Sequence, residues 1–130
     1  MGRYSWPNFT RFWFPAIVYS GIIFMASSIP DVRTPFPEFE FDKFLHVIEY
    51  APFGFLLARA MRGTWTSMPG KALGTWVVLL SFVYAVSDEY HQLFVHGRSI
   101  NGLDLLADTV GGILGWYLFA VLTRHKTGKI

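Results

Sequence analysis

The 130-residue chain contains no cysteine, which excludes disulfides and cysteine-based zinc or redox sites. Charge is also scarce. Asp, Glu, Lys and Arg make up 15% of the residues, against roughly 25% in an average soluble domain. There is no block of Lys and Arg, so nothing argues for a nucleic-acid partner. Internal repeats and low-complexity tracts are absent as well. Apolar residues dominate instead, at 52%, with thirteen Phe, six Tyr and five Trp. A single soluble domain of this length would struggle to cover so much apolar surface.

Four apolar segments account for the excess. The run FWFPAIVYSGIIFMASSI, from Phe12 to Ile29, carries no charge and falls within the length of about 17–25 residues that crosses a bilayer. A second segment spans Phe44 to Ala58, a third Ala72 to Ser87, and a fourth Leu103 to Leu122. Any one of the last three would pass for a buried soluble helix. Four of them joined by short links predict an all-α, four-transmembrane-helix bundle, with residues 1–130 as one domain. A cleaved signal peptide is the alternative for the first segment, because Ala26, Ser27 and Ser28 form a small-residue stretch. The apolar run is long for that role.

The charges orient the bundle. Arg3, Arg11, Arg59, Arg62, Lys71, Arg124, Lys126 and Lys129 fall on one side of the proposed membrane. Arg33, Lys43 and Arg98 fall on the other, with all nine acids. The positive-inside rule then predicts a multi-pass protein of the cytoplasmic membrane with both termini in the cytoplasm.

The links carry further signals. PDVRTPFPEFEFDK has three prolines, and its Phe36, Phe39 and Phe41 would sit among headgroups while Glu38 and Glu40 face water. In RGTWTSMPGK, a turn region, Trp65 is a candidate interfacial anchor. Gly111 and Gly115 form a GxxxG pattern on the fourth helix. Close packing within the bundle is one use of it, and a homodimer is the other.

The polar residues gather at one depth. Asp42, His46 and Glu49 follow i, i+4, i+7 spacing and share a face near the start of the second helix, beside Lys43. Asp88, Glu89 and Gln92 mark the outer end of the third, and Asp104 and Asp108 the outer half of the fourth. Asp88 and Glu89 lie near a helix C-terminus, where the dipole disfavours negative charge, so Arg98, Lys43, His46 or a bound metal is needed beside them. Asp108 lies deeper, where ionisable residues face a bundle interior or cavity. Plainer roles exist. Asp104 follows Asn101 at N-cap-to-N3 spacing, Lys43 can snorkel to headgroups, and His91, His96 and Arg33 read as solvated loop residues.

The motifs DKFLHVIEY, SDEYHQLFVHGRS and LDLLADTVGGILG, in that order and spacing, resemble the VanZ-like family of small bacterial membrane proteins. The likeness covers about residues 42–115. Its matching positions are Asp42, Lys43, His46 and Tyr50, then Asp88, Glu89, Gln92 and Arg98, then Asp104, Asp108, Gly111 and Gly115. This chain has Asp108 where many members have Asn. The resemblance implies a role at the cell envelope and no particular reaction. The family's namesake is linked to resistance toward the glycopeptide teicoplanin.

Two functions compete. In the first, the ten polar positions from Asp42 to Asp108 in those motifs form an extracytoplasmic binding site for an anionic lipid or cell-wall precursor headgroup, engaged directly or through a cation. In the second, His46, Asp88, Glu89, Asp104 and Asp108 hold a divalent metal for phosphoryl transfer or hydrolysis on a phospholipid-type substrate. No metal-binding signature is present: HEY is not HExxH. Ion movement ranks last, because the inner halves of the helices carry no charge for a relay.

Overall fold

The structure, a computed structural model, describes residues 6–30 and 38–127. Four α-helices make up its regular structure: α1 (Trp6–Ser27), α2 (Glu38–Thr64), α3 (Gly70–Gln92) and α4 (Gly102–Thr127). At ~1.5 Å per residue, even the 22-residue α1 exceeds the ~30 Å of a bilayer's hydrocarbon core. Arg33 and Phe36 lie outside the described residues. From Glu38 onward the Phe-Glu run belongs to α2 rather than to a link. At the same end of the bundle, α3 continues past Ser87 to Gln92, so the acids Asp88 and Glu89 are helical.

The helices run up, down, up, down. Trp13 of α1 meets Thr64 of α2 and Tyr19 meets Glu49, which makes that pair antiparallel. In contrast, α2 and α4 run parallel: Gly111 lies against Val47 and Tyr50, and Gly115 against Ala51 and Phe55. One end of the bundle therefore gathers the start of α2, the end of α3 and the start of α4. It holds the acids, and the opposite end holds Arg11, Arg59, Arg62, Lys71 and Arg124.

Three helices are apolar and long enough to cross a membrane on their own account, over Asn8–Ser27, Gly70–Gln92 and Gly102–Arg124. The fourth, α2, carries Asp42, Lys43, Glu49, Arg59 and Arg62. It packs against all the other three helices, most extensively against α4. Its polarity is thus screened by apolar neighbours. The molecule is polar within and apolar without: Met25 is 72% exposed while Asp108 is 0% exposed. That distribution suits a lipid surround and would be costly in water.

The most extensive interface is α2 with α4, and glycines make it possible. A Cβ at Gly54 would overlap the Gly112 backbone, and one at Gly115 would overlap the Ala51 carbonyl. Backbones this close gain dispersion contacts that side chains would prevent. Both glycines of the GxxxG pattern, Gly111 and Gly115, face α2 within the chain.

Tyrosine and arginine side chains dock α1. Pro15 has no N–H to give the carbonyl of Arg11, and the Arg59 guanidinium takes that carbonyl at 3.1 Å. Tyr19 donates to the Glu49 carbonyl at 2.7 Å, and the Tyr84 hydroxyl donates to that of Ser20. Trp13 donates to the Thr64 hydroxyl at 2.7 Å and packs edge-on against Trp65, which anchors the basic end.

Candidate functional site

The site forms where α2 and α4 begin and α3 ends. Asn101 caps α4 by accepting the Leu103 N–H on its side-chain oxygen at 3.0 Å. That start places Asp104 in the first turn of α4 and Asp108 one turn deeper, about 6 Å along the axis. Both point toward α2, whose Lys43 and His46 meet them.

Lys43 bridges two acids, bonding Asp42 Oδ2 at 3.1 Å and also Asp104 Oδ1. His46 is buried, with Nδ1 at 2.8 Å from Oδ1 of the fully buried Asp108. Its Nε2 faces Asp42 Oδ1 at 3.9 Å and Asp104 Oδ2 at 3.8 Å. An ionised Asp108 accepts only, so the Nδ1 nitrogen carries the proton of that bond. The ring is thereby oriented with Nε2 toward the two outer carboxylates. Asp42, His46 and Asp104 offer ligand atoms within 4.8 Å of one another, the spacing that a shared cation requires. Asp88, Glu89 and Asp108 are not in this closest group. Asp108 instead occupies the supporting position that orients a ligating histidine.

Asp88 and Glu89 are buried on α3. Glu89 Oε2 accepts the Asn101 N–H at 3.0 Å, which brings its charge to the favourable N-terminal end of α4. This offsets part of the unfavourable dipole of α3. Arg98 pairs with neither Asp88 nor Glu89: its Nε donates to the Ile29 carbonyl at 3.2 Å, and its charge lies within electrostatic reach of Glu49 instead. Gln92 is buried and donates to Ser27 Oγ at 3.0 Å, so α1 also contributes to the wall. Tyr50 is fully buried beneath the acids.

Acceptors outnumber donors. Among the described residues, Asp88 Oδ1, Glu89 Oε1 and Asp108 Oδ2 are buried without a hydrogen-bond partner, as is Ser81 Oγ, and the Tyr50 hydroxyl lies beside Asp88. Asp108 lies within electrostatic reach of both Asp88 and Glu89. Among the residues whose side chains are described, the acids at this end are Asp42, Glu49, Asp88, Glu89, Asp104 and Asp108. Lys43 and His46 approach them directly, while His91 lies within electrostatic reach of Asp88 and Arg98 of Glu49. Four of these acids, Asp88, Glu89, Asp104 and Asp108, are buried, and buried carboxylates in that number call for a further cation or set of donors.

One expectation needs correcting. His91 is not a solvated loop residue: it lies on α3, stacks on Phe24 at 4.2 Å between centroids and pairs with Ser28 Oγ at 2.9 Å. Sequence reasoning also passed over Ser27 and Ser81. The second had a signal, since Ser81, Ala85 and Asp88 follow i, i+4, i+7 spacing and share the buried face of α3.

No curated protein and no solved structure matches the chain. The family model described as VanZ/LLP1 matches residues 3–123, which includes every residue of the polar cluster. With four helices, an apolar exterior and this match over nearly the whole length, the chain belongs to the VanZ/LLP1 family of membrane proteins.

Proposed function

We propose that the acidic end of the bundle binds a divalent cation and, through it, the anionic headgroup of a lipid or cell-wall precursor at the cell envelope. The observation that carries this reading is the set of buried, unpartnered carboxylate oxygens on Asp88, Glu89 and Asp108. Asp42, His46 and Asp104 supply ligand-spaced atoms above them. Oxygen-rich donors with one imidazole suit a hard or borderline ion such as Mg²⁺, Mn²⁺ or Ca²⁺. The charge asymmetry of the loops supports an extracytoplasmic location for this end.

The test uses the purified full chain in detergent, titrated with Mn²⁺ and then with phosphatidylglycerol or undecaprenyl phosphate. Saturable Mn²⁺ binding is expected, with lipid retention that depends on the metal. Asp108→Asn, which weakens the orientation of His46, lowers metal affinity by about 10–100-fold. Absence of saturable binding, or an unchanged affinity in Asp104→Asn and Asp108→Asn alike, would overturn the proposal.

A second reading rests on the His46–Asp108 pair. A histidine whose Nδ1–H is held by a buried carboxylate presents Nε2 as a general base, which suits a metal-dependent hydrolase or phosphotransferase. Release of inorganic phosphate from undecaprenyl phosphate, or of glycerol or glycerol phosphate from phosphatidylglycerol, abolished in His46→Ala, would favour catalysis over binding alone.

A further inference from the structure

At the end opposite the acids, α2, α3 and α4 enclose a cavity of about 400 Å³ whose wall includes three cations, Arg62, Lys71 and Arg124. No acid lines it. The cavity adjoins a more open groove of about 730 Å³ that runs between α3 and α4, with Val78, Leu79, Phe82 and Ile113 along it. Lys71 and Trp116 belong to both spaces. The junction is built by Gly74: a Cβ there would collide with the Trp116 ring, so the ring lies directly on the α3 backbone. Arg62 is held in place by the link that follows α2, donating to the carbonyls of Met68 at 2.6 Å and Thr66 at 3.2 Å.

We propose that this is a binding site for one anionic phospholipid, with its phosphate among Arg62, Lys71 and Arg124 and an acyl chain in the α3–α4 groove. Charge complementarity selects the occupant. A cation-lined cavity at the end of membrane-spanning helices, continuous with an apolar channel along them, matches the two halves of such a lipid. A soluble anion would leave the groove unused, and a zwitterionic lipid would bring no net negative charge to a wall that includes three cations. The site is separate from the acidic end and does not depend on the function proposed for it.

Native mass spectrometry of the full chain, delipidated and then supplied with phosphatidylglycerol or phosphatidylcholine of identical acyl chains, tests the proposal. One phosphatidylglycerol is expected to survive at collision energies that strip phosphatidylcholine. Lys71→Gln combined with Arg124→Gln lowers that retention by about tenfold. Arg11→Gln, which removes a charge at the same end but outside the cavity, leaves it unchanged. Ile113→Trp, which fills the groove, lowers retention with the cations intact, and circular dichroism verifies that each variant is folded. Equal retention of the two lipids would overturn the proposal. So would a loss in Arg11→Gln matching that of the double variant, since it would indicate attraction by the basic surface rather than a site.

Discussion

Lys43 is the residue on which the acidic site turns. It already bridges Asp42 and Asp104, two of the three groups spaced to hold a metal. A bound ion and the ammonium group therefore compete for the same oxygens. Replacing Lys43 by Met keeps the aliphatic bulk and removes the charge. Mn²⁺ affinity is then expected to rise by about tenfold, the effect of relieving ~1.4 kcal/mol of competition. Isothermal titration of Lys43→Met against the parent chain measures this, and a fall in affinity would mean that Lys43 helps to hold the anionic ligand instead. The chemistry of these residues was legible in the sequence: acids, one histidine and one lysine at a common depth. Their pairing was not. Nothing in the spacing indicated that Arg98 would turn to the Ile29 carbonyl, or that Glu89 would reach the Asn101 N–H. Those choices depend on how the 93–101 link closes.

Among the elements, α2 departs furthest from what an apolar segment count implies. It is the polar helix of the bundle, it touches every other helix, and its interface with α4 is the most extensive. Its position between neighbours makes its acids, histidine and lysine affordable within a membrane. The α2–α4 contact depends on backbones meeting at Gly54, Gly111, Gly112 and Gly115. Gly115→Val forces the helices apart at the Ala51 carbonyl and is expected to destabilise the bundle by about 1–3 kcal/mol. Thermal unfolding in detergent reads the loss. Gly21→Val, where an added Cβ meets nothing within 4 Å, is the matched control and leaves the midpoint unchanged. The GxxxG pattern was visible beforehand, but which helix it served was not. A small-residue stripe specifies close approach without specifying the partner.

For the whole molecule, the separation of charge between the two ends predicts orientation. Basic residues at one end and acids at the other place the 93–101 link outside and the 65–69 link inside under the positive-inside rule. Cysteine at His96 and at Ser67, both exposed, reports this without disturbing the fold. Gly97, with φ of 79°, and Gly63, packed on the Phe12 ring, are unsuitable positions. A membrane-impermeant maleimide applied to intact cells labels His96→Cys and spares Ser67→Cys. The reverse pattern would invert the topology and carry the acidic site to the cytoplasmic side.

By itself, the sequence determined the class of the protein: helical, membrane-borne, with its acids at one depth and most of its bases at the other end. Hydropathy and charge are sums over local stretches, and a bilayer reads them locally, so no knowledge of neighbours was needed. Only the tertiary structure decided which acids share Lys43, which carboxylate orients His46, and which oxygens remain unpartnered. It also decided that Gly74 and Trp116 join a basic cavity to an apolar groove. Each of these depends on contacts between residues far apart in the chain, whose distances are set by helix packing and glycine-mediated approach rather than by spacing along one helix.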